Sequence, residues 1–276
     1  MDQPAKRLNR AIDRWRDWTL DEPLARPPKL GALLAEGSGH AIYELTHHDR
    51  QPLPIVARIR RQETRSGDDP LGQEWAAWQF ASRDGLAPEC FYIDDVGVTI
   101  CRRVSAPAQP VSAEALGTLC GRIHALSGTL PRLDLRREID SHLAALPLAQ
   151  KSDWQRAMEV QHLSEALMLL ERDTPYFCHN DLTEGNLMLN GDRLVAIDWE
   201  YAAMGSRYFD LAIAAGSRPA QEQRDMYRAA LTDHVDDTLV RAGQRTASLV
   251  TALWQTRFTP TEAPCPEVWE TQAAKL

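Results

Sequence analysis

The chain changes texture once, at Ser105-Ala-Pro-Ala-Gln-Pro110. Before that segment, from about residue 30, the apolar residues come in short β-branched and aromatic runs: AIYEL at 41–45, PIVARI at 54–59, and the pair ECFYID and VTICRRV at 89–94 and 98–104 around Asp95 to Gly97. Runs of this kind between turn residues predict strands. After it, apolar residues recur at helical spacing and predict helices over 112–126, 135–147, 152–172, 219–234 and 237–255, with one strand-rich island at 176–200. The first part also holds a predicted helix over 4–19, with Leu8, Ile12, Trp15 and Trp18 on one face, and another from Gly72 to Asp84. The expected architecture is α+β, with a small β-rich lobe over 1–104, a Pro-containing hinge at about 103–110, and a larger helical lobe over 105–276. A ligand cleft between two such lobes is the default site.

Composition narrows the class. The chain has 276 residues, is 43% hydrophobic and carries 31 basic against 39 acidic residues, a formal charge of −8. That is ample material for a core, and an acidic surface disfavours a nucleic-acid partner. The five cysteines are scattered with no Cys-x-x-Cys pair, which fits a reducing compartment rather than a disulfide framework or a zinc site. The first twenty residues lack a signal-like apolar core, and no stretch is apolar enough to span a bilayer. The expectation is a cytoplasmic protein with no membrane partner, monomeric or homodimeric.

Residues 177–212, FCHNDLTEGNLMLNGDRLVAIDWEYAAMGSRYFDLA, carry the chemistry. Apolar positions alternate on either side of Asn190-Gly191-Asp192, a hairpin signal. A hairpin brings the residue before its first strand near the residue after its second, and Asn186 and Asp198 occupy those places. Asp181 lies on the approach loop, and Gly185 allows a tight turn before Asn186. Two carboxylates and an amide oxygen are hard ligands that suit Mg²⁺ and not zinc.

The run His179-Asn180-Asp181-Leu182-Thr183-Glu184-Gly185-Asn186 resembles the kinase catalytic loop H-x-D-x-x-x-x-N. With Ile197-Asp198-Trp199-Glu200-Tyr201-Ala202 it resembles the aminoglycoside phosphotransferase and choline kinase superfamily, most of all choline/ethanolamine and thiamine kinases. The resemblance implies a protein-kinase-like two-lobed fold with the ATP cleft between the lobes. It makes Asp181 the catalytic base, Asn186 and Asp198 the Mg²⁺ ligands, His179 a scaffold residue and Asp210 a brace for the loop. Glu200 and Trp199 become candidate substrate contacts, with Trp254 able to close the pocket.

In the first lobe, Gly37, Ser38 and Gly39 would form the phosphate-covering loop, a thinned glycine motif whose other reading is an ordinary hairpin turn. The strand PIVARIR lacks the lysine expected of a kinase, and by resemblance Arg58 takes its place, a bidentate grip on phosphate. Arg60 shares that strand face and stays open as the partner. Glu74 is the ion-pair partner expected for Arg58, its other reading being a carboxylate favoured by the helix dipole. By resemblance, backbone groups near Arg103 to Ser105 would meet adenine, and His124, on an apolar helix face, reads as structural.

The function expected is an ATP- and Mg²⁺-dependent phosphotransferase acting on the hydroxyl of a small cationic or amino alcohol, with choline or ethanolamine before thiamine. The alternatives are an aminoglycoside phosphotransferase and a non-catalytic nucleotide-binding pseudokinase. The missing lysine and thin glycine loop favour the last, and the retained Asp181, Asn186 and Asp198 oppose it.

Overall fold

A computed structural model describes residues 3–37, 39–60, 70–95, 97–232 and 234–275. Within them the chain forms two compact units, one of Met1–Pro107 with Met188–Glu200, the other of Ala108–Leu187 with Tyr201–Leu276.

The first unit is built on a five-stranded antiparallel sheet of β1 (Lys29–Glu36), β2 (His40–Thr46), β3 (Pro52–Arg60), β4 (Cys90–Ile93) and β5 (Val98–Arg102), in the order β1-β2-β3-β5-β4. Alternation along β3 decides what each face does. Ile55, Ala57 and Ile59 point into a core with Ala41, Leu45, Val98 and Ile100, closed by Leu8, Ala11 and Ile12 of α1 (Gln3–Asp13) and by Trp18. The predicted helix over 4–19 therefore ends early, at Asp13, and a 3-10 turn over Trp15–Asp17 follows. Arg58 and Arg60 lie on the opposite face, where Glu74 and Trp78 of α2 (Pro70–Arg83) are buried. The hairpin of β7 (Leu187–Asn190) and β8 (Arg193–Ala196) turns at Gly191 with φ +61°, and from Met188 onward it belongs to this unit. The Ala196 amide donates to the Leu86 carbonyl at 2.8 Å, and Leu189 exchanges backbone bonds with Ser105.

The second unit is helical: α3 (Ala113–His124), α4 (Leu135–Ala144), α5 (Leu148–Val160), α6 (Leu163–Arg172), α7 (Arg207–Ala215), α8 (Ala220–Ala230), α9 (Asp237–Phe258) and α10 (Pro266–Ala273). Between α6 and α7 a short ladder pairs β6 (Tyr176–Cys178) with β9 (Ala203–Gly205). Two elements depart from the sequence reading. The single helix predicted over 152–172 is two helices, because His162 adopts a left-handed conformation (φ +49°) between them. α10, missing from the prediction, packs Trp269 against Trp154 of α5 with ring centroids 5.8 Å apart, and Trp269 donates to Ser248 Oγ at 3.1 Å.

Close helix contacts set the position of α7, which carries Asp210. A Cβ at Gly243 of α9 would sit 2.4 Å from the Tyr208 carbonyl oxygen. Alanine there gains about 1 kcal/mol of helix propensity, but forcing the backbones apart costs about 1–3 kcal/mol. Gly243→Ala should therefore be net destabilising by about 1–2 kcal/mol in denaturant unfolding, whereas alanine at an uncrowded helical glycine would stabilise.

Candidate active site

The catalytic-loop motif sits in the second unit, leaving β6. Its first residues are held by one carboxylate. Asp210, buried in α7, accepts from the Asn180 amide at 2.6 Å, the His179 amide at 3.3 Å and His124 Nε2 at 2.8 Å. Burial alone would raise the Asp210 pKa, but the His124 hydrogen bond, the His124 and His179 charges and the Asn180 amide hold it below the ordinary value. Asn180 takes a left-handed backbone (φ +63°), which asparagine tolerates better than most residues, and its Nδ2 donates to the Tyr201 carbonyl at 3.0 Å. His179 is fully buried, and its Nδ1 accepts from the Asp181 amide at 3.3 Å. The loop then closes through a 3-10 turn over Glu184–Asn186. From that turn Asn186 Nδ2 donates to both the Asp181 carbonyl (2.7 Å) and Asp181 Oδ2 (2.9 Å), fixing the carboxylate and leaving Asn186 Oδ1 as the acceptor atom.

The first unit holds a chain of alternating charges. Arg58 donates to Glu74 Oε1 at 2.6 Å and to Asp198 Oδ1 at 2.9 Å. Arg60 pairs with Glu74 Oε2 at 3.5 Å and with Glu200 Oε2 at 3.6 Å. Both strand arginines thus share Glu74, while Arg58 reaches Asp198 and Arg60 reaches Glu200. The space among His40, Arg58, Arg60, Glu74 and Trp78 is small, about 10 Å³. His40 Nδ1 lies 3.0 Å from Arg58 and 3.9 Å from Asp198. The second distance is not an ion pair, because burial, with Arg58 and Arg60 beside it, pushes the imidazole pKa down to about 2. Neutral His40 accepts from Arg58. The Glu200 pKa moves the other way, raised by burial and by the Asp198 and Glu74 charges, with Arg60 and Arg58 opposing.

Several sequence candidates are placed differently. Trp199 offers no face to a substrate: it is fully buried and its Nε1 donates to the Ala196 carbonyl at 3.1 Å, so its ring serves the core. Trp254 of α9 is exposed and packs against Phe258 in a tilted arrangement with centroids 5.2 Å apart. Gly37 donates its amide to the His40 carbonyl at 2.8 Å, a Cβ at Gly39 would meet nothing within 4 Å, and Ser38 lies outside the described residues. Arg103 donates its amide to the Pro54 carbonyl and Ser105 is bridged to Leu189, so Val104 keeps backbone groups with no backbone partner among the described residues. His40 escaped the sequence reading, though period-2 register along β2 places it on the face of Arg58. Arg218 escaped too, since it stands more than thirty residues after the loop it contacts.

Two other features are not the site. His124, Cys178 and Asp210 bring potential ligand atoms within 4.8 Å of one another. Burial and the Asp210 charge push the Cys178 thiol well above its ordinary pKa, so it stays protonated, and both Asp210 oxygens already accept hydrogen bonds. A cavity of about 780 Å³ lies among Leu20, Leu24, Leu53, Phe91 and the prolines at 23, 27, 28 and 54, and includes none of the motif residues.

An antiparallel sheet with a strand-borne arginine bound to a helix glutamate, and a helical unit carrying a braced His-Asn-Asp loop, define a protein-kinase-like phosphotransferase. The chain belongs to the phosphotransferase enzyme family (APH), whose model matches residues 40–254. It is similar to the LicA protein of Haemophilus influenzae, 51% identical over 35 residues, and to choline kinase B1 of Caenorhabditis elegans, 42% identical over 57 residues. These matches span only 13% and 15% of the relatives' lengths, and 13% and 20% of this chain. In structure it is similar to the choline kinase LicA of Streptococcus pneumoniae, with a TM-score of 0.71 at 16% identity, covering 99% of this chain and 98% of that one. No helix among the described residues is long and apolar enough to cross a membrane.

The Asp210 brace has a measurable signature. In Asp210→Asn an NH₂ group replaces one of two acceptor oxygens, so one of three buried donors faces another donor. The variant should lose about 2 kcal/mol or more at pH 7. A lowered folded pKa gives stability that is complete above the unfolded carboxylate value of about 3.9 and is lost as the pH falls through the folded value. The gap between wild type and variant should stay level from pH 7 to about pH 4.5 and narrow below it, as read by unfolding at a series of pH values.

Proposed function

We propose that this chain transfers the γ-phosphoryl group of ATP to the hydroxyl of a small cationic or amino alcohol, choline or ethanolamine before thiamine. The observation that carries the reading is the fixed Asp181 carboxylate, bound by Asn186 within a loop whose start is braced by buried Asp210. Phosphoryl transfer asks for positioning and charge neutralisation more than covalent chemistry, and this loop is built for position. Asp181 orients the acceptor hydroxyl and takes its proton at the carboxylate. Arg58, held in place by Glu74, presents its guanidinium to phosphate oxygens, the part a lysine plays in other kinases. Neutral His40 accepts a hydrogen bond from that guanidinium without competing for phosphate charge.

The donors fit Mg²⁺: the Asp198 carboxylate, with Oδ1 on Arg58, and Asn186 Oδ1, left as acceptor by the bonds of its own NH₂, are hard oxygens. Mg²⁺ held by oxygens of this kind would neutralise charge on the nucleotide phosphates. For the acceptor, support comes from the similarity to choline kinases and from Glu200, a carboxylate 3.6 Å from Arg60 that a cationic group would share.

Asp181→Asn should lower kcat by about 10²–10⁴-fold while leaving nucleotide affinity within about twofold. A variant turning over like wild type would remove Asp181 from the mechanism. Substrate class is read by steady-state turnover of choline, ethanolamine, thiamine and kanamycin. A cationic alcohol should be preferred over a neutral one of equal size, and Glu200→Gln should erode that preference by about tenfold. Selective turnover of kanamycin would replace the acceptor assignment, and an unchanged preference in Glu200→Gln would end the role of Glu200.

A further inference from the structure

We infer that Arg218 is a positioning residue for the transfer step, pinning the second half of the catalytic loop through Glu184; the inference rests on the phosphotransferase reading of that loop. The guanidinium is well placed for this. Its side chain is only 11% exposed, with NH2 donating to Glu184 Oε1 at 3.0 Å and NH1 to Glu222 Oε2 at 3.2 Å. The backbone that carries it is itself held. The Arg218 amide donates to the Ala215 carbonyl at 3.1 Å, and the Arg218 carbonyl accepts from Gln223 Nε2 at 2.8 Å. Gln223 Oε1 in turn accepts from Gln244 Nε2 of α9 at 2.8 Å. The cation therefore stands at a fixed point at the junction of α7 and α8.

Its partner is the informative part. Glu184 is 72% exposed, so the pair adds about 0–1 kcal/mol to stability. What it fixes is geometry. Glu184 opens the 3-10 turn that ends at Asn186, and its carbonyl accepts from the Leu187 amide. Asn186 is the residue that grips Asp181. Asp210 anchors the loop at His179 and Asn180, and the Arg218–Glu184 bond anchors it on the far side of Asp181. A carboxylate that must meet a hydroxyl in one orientation gains from being tied on both sides, since a misplacement of about 1 Å costs on the order of 100-fold in rate. The arginine fork can serve Glu184 and Glu222 from separate nitrogens, which a lysine ammonium does less well.

The test compares wild type with Arg218→Met, Arg218→Lys, Glu184→Gln and the Arg218→Met/Glu184→Gln double variant, using ATP and whichever of choline or ethanolamine wild type turns over. Arg218→Met should lower kcat about tenfold, keep the KM for ATP within about twofold, and hold the unfolding midpoint within about 4 °C. Glu184→Gln should act in the same direction, the double variant should be no slower than Arg218→Met, and Arg218→Lys should recover part of the loss. Amide hydrogen exchange at residues 181–187 should quicken several-fold in Arg218→Met. Wild-type kcat in Arg218→Met, or rate losses that simply add in the double variant, would overturn the inference. If wild type transfers no phosphoryl group, the phosphotransferase reading fails on its own. Exchange at 181–187 then decides the anchor, quickened in Arg218→Met if it exists and unchanged if it does not.

Discussion

Everything at the candidate active site of the second unit leans on one buried carboxylate. Asp210 collects two consecutive backbone amides and an imidazole while itself fully buried. A buried charge without partners would be costly by several kcal/mol, so donors and acceptor specify one another. The left-handed conformation of Asn180 then turns the chain sharply just after these two amides. Once the bend is made, Asp181 follows with its amide on His179 Nδ1 and its carboxylate within reach of Asn186. The brace is a backbone device, and the carboxylate proposed as the base belongs to the residue next to it.

The first unit solves a different problem, keeping cations and anions at close quarters on one strand face. Asp198, Glu74 and Glu200 alternate with Arg58 and Arg60, three carboxylates for two guanidinium groups. Among the described residues such a chain compensates itself but for one negative charge. The raised pKa of Glu200 and the strongly depressed pKa of His40 follow from the same packing: burial penalises both charged forms, and the neighbours decide how far each moves. An imidazole that refuses a proton is useful there, because a third cation beside Arg58 would repel it.

What the sequence made legible was the part encoded by local pattern. β2, β3, β5 and the Gly191 hairpin were readable because alternation and turn chemistry act over a few residues. β1 was not, since its KLGALLAE run is mostly exposed and pairs with β2 through two register shifts, which blurs the period. The break at His162 was illegible because a left-handed histidine leaves no compositional mark in a run that otherwise reads as helix. Among the candidate residues, His179, Asp181, Asn186 and Asp198 were legible as a spaced set, Asp210 through the family resemblance, and Glu74 because it opens a helix soon after the arginine strand. The burial of Trp199, the neutrality of His40 and the reach of Arg218 depend on packing from distant segments, where spacing carries no information.

Two motif residues outside glycine adopt positive φ, Asn180 at +63° and Asp198 at +65°. Such conformations cost on the order of 1 kcal/mol or more for most side chains and persist where the surroundings over-determine them. Asparagine and aspartate are the side chains that tolerate them best. The letters of the motif therefore answer a backbone demand as well as a chemical one. Glycine would meet the backbone demand at either position with less strain. At 180 it would surrender the tether to the Tyr201 carbonyl, and at 198 the carboxylate that receives Arg58. The residues present satisfy both demands with one side chain each, which ties the turns of this site to its chemistry at the same two positions.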